Sequence, residues 1–201
     1  MFGFRKDPRK EFWRWLASHR RDIHQEIKGP GAPTSHVWSI LELGAKLQQV
    51  DPGLTHEIGM ADSETIELII SAEGIKAVFP AVIELVKSAP RLDGFKITAF
   101  RPRCPDGLQL QIDDKLITDD LLTYRLVPEG DRLGLELFID CALDERARTM
   151  IGFLSLDQRL GEYDVATGLR WIEIACGKPP DALPIIGLAA DFDSRRPRGM
   201  H

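Results

Sequence analysis

The strongest fold signal in the chain is residues 122–140, LTYRLVPEGDRLGLELFID. Two runs of alternating apolar and polar residues flank the turn sequence PEGD, in which Gly130 tolerates positive φ. This pattern predicts a β-hairpin. Helical spacing then predicts a helix over residues 144–160 that ends at Gly161, and residues 168–175 predict a further strand. The expected order is therefore strand, strand, helix, strand.

The same order is predicted earlier in the chain. Its two strands, helix and final strand are expected at residues 54–60, 64–71, 74–88 and 95–100. Pro80 lies inside that helix and removes one of its hydrogen bonds. Pro80 therefore predicts either a kink, or a short helical turn followed by a helix with Pro80 in its first turn. The sequence thus contains two ββαβ units, 54–100 and 122–175, of negligible mutual identity.

Together these elements predict an α+β fold, with a largely antiparallel sheet formed by the two ββαβ units, helices on one face, and two N-terminal helices. The N-terminal helices are expected over residues 9–28 and from a cap near Thr34 or Ser35 to the DPG sequence at 51–53. Residues 108–113 predict another strand. Three domains are predicted. Residues 1–52 form an N-terminal helical segment that packs on the body, residues 53–177 an α+β domain, and residues 178–201 an extended C-terminal tail.

Composition restricts the class of protein. The 201 residues are 43% hydrophobic and 28% charged, which is typical of a globular protein. The net charge of -5 argues against a nucleic-acid partner. Three widely spaced cysteines form no disulfide framework, and neither a secretory signal nor an apolar run of membrane-spanning length is found. We therefore expect a cytoplasmic protein without integral membrane association.

Several chemistries lack their sequence signatures. His19 and His24 are five residues apart and so lie on different faces of a helix, and HExxH is absent. Neither GxSxG nor a phosphate-binding glycine motif occurs. Cys104 follows Arg103 and is a candidate nucleophile, but an inert loop thiol is favoured. We predict no metal and no cofactor, and the sequence identifies no catalytic residue.

One loop stands out as a candidate site: residues 97–107, ITAFRPRCPDG. Its strand ends in Arg101 and Arg103, separated by a proline. Two cations at a strand end suit an anion-binding site, whereas an internal ion pair of Arg101 is the alternative that we favour slightly. Strand alternation places Phe100 on the sheet face that points away from the helices.

The second face of the sheet is the other candidate. Alternation directs Leu133, Leu135, Leu137 and Ile139 towards the helices. The helix over 144–160 is expected to direct Ala147, Met150, Ile151 and Leu154 inward. The opposite sheet face then combines Phe100 and Phe138 with Arg125, Lys96 and Glu136. The last strand adds either Trp171 with Glu173, or Arg170 with Ile172. Either the N-terminal helices or the C-terminal segment cover this face, or it binds a partner. The candidate binding residues are Phe100, Arg101, Arg103, Arg125 and Phe138.

A set of motifs resembles a family of uncharacterised bacterial proteins. The motifs are FWRW (12–15), ISAEGIKAVFPAVIELVKSAP (70–90), FKITAFRPR (95–103), DRLGLELFID (131–140) and GEYDV (161–165). The resemblance spans about residues 12–175, while the break KGPGAPTSH is longer and the arginine-rich tail differs. It implies a bacterial cytoplasmic protein with no established activity, so no catalytic residue is transferred.

The sequence does not determine a biochemical function. The leading hypothesis is a non-catalytic protein that binds another protein or a second copy of itself through the sheet face and the arginine loop. The alternatives are an enzyme or small-anion-binding protein that uses Arg101 and Arg103, and a toxin-immunity-type protein. If Phe100 and Arg101 serve binding, their replacement by alanine should leave stability near that of the wild type, whereas loss of folding would show a structural role.

Overall fold

A computed structural model describes residues 7–28, 38–104, 106–112, 114–130 and 132–195. Within these residues the chain contains six α-helices and nine β-strands, which confirms the predicted α+β class with two N-terminal helices. The chain divides into two compact units, residues 1–100 and 101–201. The division falls between the two ββαβ units, whose strands form two separate sheets where the sequence had suggested one. No helix among the described residues is both long and apolar enough to span a membrane.

The first unit contains three helices and one three-stranded sheet. Its elements are α1 (Pro8–Lys28), α2 (Trp38–Gln48), β1 (Thr55–Met60), β2 (Ile66–Ser71), α3 (Phe79–Lys87) and β3 (Phe95–Ala99). The strand order is β1-β2-β3; β1 and β2 are antiparallel, and β2 and β3 are parallel. Leu68 and Ile70 on β2 and Leu16 on α1 are fully buried. The Trp13 indole donates a hydrogen bond to the Leu85 carbonyl at 3.2 Å.

Pro80 takes the second of its two predicted arrangements. A 3₁₀ turn, Lys76–Val78, precedes α3, and Pro80 is the second residue of that helix. Proline fits there because the first-turn N–H groups of a helix have no intrahelical acceptor. The predicted cap near Thr34 or Ser35 lies outside the described residues.

The second unit contains two sheets and three helices. Its elements are β4 (Gln109–Ile112), β5 (Lys115–Thr118), β6 (Leu122–Glu129), β7 (Arg132–Ile139), α4 (Glu145–Leu160), α5 (Glu162–Gly168), β8 (Leu169–Cys176), β9 (Leu183–Pro184) and α6 (Leu188–Arg195). The main sheet has the order β8-β7-β6-β9, in which only β7 and β8 are parallel among the paired strands described, and β4 and β5 form a hairpin. Strands β5 and β9 and helices α5 and α6 were not predicted; β9 and α6 lie in the segment predicted as an extended tail.

The residues predicted to face the helices do form the buried inner face of the main sheet. Leu133, Leu135, Leu137 and Ile139 are at most 5% exposed. Helix α4 lies against this face with its small residues: a Cβ on Gly152 would approach the Cδ1 atom of Ile174 to 2.4 Å. Ser155 is also buried.

The predicted orientation of α4 is wrong for two residues. Met150 and Leu154 were expected to point inward, but they are 46% and 39% exposed, whereas Ile151 is buried as expected. The physical reason is the small-residue side of the helix. Because Gly152 and Ser155 let the helix approach the sheet closely, this side packs inward and the larger side chains are turned to solvent.

Candidate functional site

Arg101 is held inside the second unit by acidic partners. Its Nη1 atom lies 3.2 Å from Oδ2 of Asp157, and the two side chains are only 16% and 14% exposed. Its backbone N–H donates to Glu162 Oε2 at 3.1 Å, and its carbonyl accepts from the Glu162 N–H at 3.0 Å. Glu162 is fully buried. The internal ion pair of Arg101 is therefore the arrangement found.

Arg103 joins three helices of the same unit. Its Nε donates to the carbonyl of Leu160, the last residue of α4, at 2.9 Å. Its Nη2 donates to Asp164 of α5 at 2.8 Å, and Nη1 donates to Asp193 of α6 at 2.7 Å. The hydrogen bond to Asp193, opposed by partial burial and reinforced by Asp164, raises the pKa of Arg103 above its ordinary value. The guanidinium therefore stays charged and satisfies an unpaired carbonyl at a helix end.

Two motifs thus meet, AFRPR at 99–103 and GEYDV at 161–165. We call their contacts the arginine clamp: Arg101 with Asp157 and Glu162, and Arg103 with Leu160, Asp164 and Asp193. Gly161 lies at the centre with φ of +80°, and a Cβ there would be 3.3 Å from the Arg101 carbonyl oxygen. A residue with a side chain would be strained at this φ, so glycine is required. The clamp holds the ends of α4 and α5.

The prediction that Phe100 faces away from the helices is wrong. Phe100 is 7% exposed, and its ring centroid lies 4.6 Å from that of Phe79 on α3. Its backbone N–H donates to the Ile70 carbonyl at 2.8 Å. Its φ is +63°, a left-handed conformation that is unusual for a bulky residue. Strand alternation ends at Ala99, so the pattern that places Lys96 and Thr98 outward does not extend to Phe100.

Arg125 and Phe138 do share a sheet face, the outer face of the main sheet of the second unit. The Arg125 guanidinium lies 5.0 Å from the centroid of the Phe138 ring, a cation–π distance. Arg125 also donates to Glu136 at 3.1 Å and to Asp181. The hydrogen bond to Asp181, then that to Glu136, raises the pKa of Arg125. Phe138 itself is only 9% exposed.

This outer face differs from the predicted surface in two ways. Lys96 lies on β3 of the first unit and Phe100 follows that strand, so they do not share a sheet face with Arg125 and Phe138. The segment that joins β8 to β9 supplies Asp181, so the C-terminal segment contributes to covering the face, one of the alternatives expected.

Trp171 occupies another part of the same outer face. It pairs with Gly134 in the β7–β8 register, and a Cβ on Gly134 would lie 2.1 Å from Trp171 Cε2. The indole N–H donates to Glu129. The bulky indole therefore needs a glycine beneath it, and Trp171 is a packing residue with a hydrogen-bonded N–H.

No group of three or more histidine, cysteine or acidic side chains is placed to hold a metal ion within the described part of the chain. Cys104, Cys141 and Cys176 are free thiols. The Cys104 N–H donates to the Gln158 carbonyl at 2.7 Å, which ties this loop to α4. Within the described residues, the loop of Arg101 and Arg103 therefore carries one free thiol and no metal-binding cluster.

An apolar surface on α4 was missed from the sequence. Met150, Phe153 and Leu154, which we call the α4 surface, are 46%, 44% and 39% exposed. They lie at spacings of three and four residues and so form one side of the helix. The available signal was the pair Gly152 and Ser155, which marks the opposite side as the packing side.

Comparison of the chain with protein-family models, with curated proteins and with solved structures finds no significant match.

Proposed function

We propose that this protein acts by protein–protein contact, that the α4 surface is its contact site, and that the partner is a second copy of the chain. The observation that carries the proposal is the exposure of three neighbouring large apolar side chains, Met150, Phe153 and Leu154, on one helix. Contiguous apolar groups of this kind on a protein surface are typical of interaction sites.

The sequence along this side of α4 favours a second copy as the partner. Phe153 and Leu154 follow Met150 at spacings of three and four residues, which is the spacing of apolar residues along a helix–helix seam. An antiparallel pairing around a two-fold axis places Met150 of one copy against Phe153 of the other. The apolar side of the helix is then self-complementary, as a two-fold interface requires.

The catalytic alternative has weaker support. It depends on Arg101 and Arg103 meeting an external anion, yet both guanidinium groups already bind carboxylates of the same unit. A ligand anion would have to displace Asp157 from a site in which the arginine and its partner are both less than one-fifth exposed. Breaking such a pair leaves a partly buried charge unpaired, which is costly.

Family membership, cellular compartment and partner class are also proposals, and each has separate support. The motif set supports membership of the bacterial family described above. Free thiols at Cys104, Cys141 and Cys176 support a reducing compartment such as the cytoplasm. The net charge of -5 supports a partner other than nucleic acid.

The test is the oligomeric state of the purified chain and of Phe153→Glu, measured by analytical ultracentrifugation. A buried glutamate at the seam opposes association, because a charge removed from water without a partner is unfavourable. Ile83→Glu is the matched control, since Ile83 is 45% exposed on α3, outside the α4 surface. A dimer that is lost in Phe153→Glu and kept in Ile83→Glu supports the proposal, whereas a monomeric wild type or a dimer indifferent to Phe153→Glu contradicts it.

A further inference from the structure

The second unit contains a cavity that the α4 surface does not use. It has a volume of about 550 Å³ and lies between the start of β6 and the segment from β9 to α6. The lining residues that matter here are Leu108, Asp120, Thr123, Lys178, Pro184 and Ile186. The volume is within the range of sites for small molecules.

A buried hydroxyl belongs to this lining. Thr123 is 3% exposed, and its Oγ1 atom is buried with no hydrogen-bond partner in the described part of the chain. A buried hydroxyl without a hydrogen-bond partner destabilises a protein, so such groups in native proteins call for a partner. A ligand bound in the cavity, which Thr123 lines, could accept the hydrogen bond of this hydroxyl.

The cavity also brings opposite charges to one place. Lys178 Nζ donates to the Asp120 carbonyl at 3.0 Å, so its ammonium lies next to that residue. The Asp120 carboxylate accepts from the Thr118 hydroxyl, and this hydrogen bond keeps the pKa of Asp120 below its ordinary value. Asp119, the neighbouring carboxylate, is neutralised by an ion pair with Arg159. The charges presented to a ligand are therefore one anion and one adjacent cation.

Apolar side chains complete the cavity. Ile186 is 68% exposed, which is high for a large aliphatic residue, while Leu108 is buried and Pro184 lies on β9. An apolar group bound in the cavity would cover Ile186 and remove this surface from water.

We propose that this cavity binds a small zwitterion of the α-amino acid class with an apolar side chain. Its ammonium pairs with Asp120, its carboxylate pairs with Lys178 and accepts from the Thr123 hydroxyl, and its side chain lies against Ile186. The ammonium and carboxylate groups of an α-amino acid are attached to the same carbon, which matches the adjacent charges of Asp120 and Lys178. This ligand site is independent of the α4 surface.

The experiment is a titration of the full chain followed by NMR, with L-leucine as the probe. Two analogues lack one charge each: 4-methylpentanoate has no ammonium and isopentylamine has no carboxylate. We expect saturable shifts with L-leucine and roughly tenfold weaker binding of either analogue, about 1.4 kcal/mol per lost pair.

Three variants locate the site. Lys178→Met and Thr123→Val should each weaken L-leucine binding about tenfold. Thr123→Val is isosteric and removes the unsatisfied hydroxyl, so the unliganded variant should be at least as stable as the wild type to urea, which separates loss of binding from loss of folding. Lys115→Met is the control, because Lys115 likewise donates to a backbone carbonyl, that of Ala142.

Three results would overturn the proposal. The first is the absence of saturable shifts with L-leucine up to about 20 mM, roughly twenty times the Kd of about 1 mM of a weak specific site. The others are equal binding of all three probes, and equal weakening by Lys178→Met and Lys115→Met.

Discussion

Replacing Arg103 by methionine should destabilise the second unit by about 2 kcal/mol. The variant keeps much of the apolar stem and removes the guanidinium. It loses the hydrogen bond to the Leu160 carbonyl, about 1 kcal/mol net. It also loses the pair with Asp164, whose side chain is 19% exposed, for about another 1 kcal/mol. The pair with Asp193 adds at most a few tenths of a kcal/mol, because that carboxylate is 53% exposed and screened by solvent.

The assay is urea unfolding followed by tryptophan fluorescence, to which Trp171 contributes from the same unit. Arg132→Met is the matched control, since Arg132 is an exposed residue of β7, and its replacement should change the free energy of unfolding by less than about 0.5 kcal/mol. If Arg103→Met were as stable as the control, the arginine clamp would not stabilise the unit, and a ligand-binding role for Arg103 would again be the better explanation.

Three further predictions concern packing and pH. Phe100→Ala should lower the free energy of unfolding, measured in urea, by about 3 kcal/mol, because it removes the ring that packs against Phe79. Stability near that of the wild type would show that the burial of Phe100 is unimportant. Gly152→Ala should destabilise by about 1 kcal/mol in the same assay, since the clash with Ile174 outweighs the helix propensity of alanine; a more stable variant would contradict the close packing of α4. Burial lowers the pKa of His56 from 6.5, so an unfolded chain takes up a proton that the folded one resists. Wild-type stability should therefore fall as the pH drops below about 6.5, and His56→Gln should show a weaker fall between about pH 7 and pH 5.5, whereas identical pH profiles would refute this contribution.

Local patterns in the sequence were sufficient for most of the fold. The PEGD turn with Gly130 predicted the hairpin of β6 and β7, and Pro80 allowed the 3₁₀ turn and helix that are found. These features depend on neighbouring residues, so they can be derived without knowing the tertiary structure. The short α5 lacks a side-chain cap at Gly161, and β9 has only two residues, so both gave weak local signals.

The candidate sites depended on contacts that the sequence does not display. Arg103 and Asp193 are 90 residues apart, so their ion pair could not be derived from spacing. The left-handed φ of Phe100 ended the strand alternation one residue early, and alternation therefore placed the ring on the wrong side. The small residues Gly152 and Ser155 indicated the packing side of α4, but the larger Met150 and Leu154 dominated its hydrophobic pattern.

The most direct test of the proposed function is sedimentation equilibrium of the wild type beside Phe153→Glu, at chain concentrations from about 1 to 100 μM, the range of moderate affinities. The proposal predicts that the wild-type mass approaches twice the 22.6 kDa of one chain, and that Phe153→Glu stays at 22.6 kDa with an unchanged circular dichroism spectrum. A wild type that remains at 22.6 kDa throughout, or a Phe153→Glu variant that associates as strongly as the wild type, would contradict it.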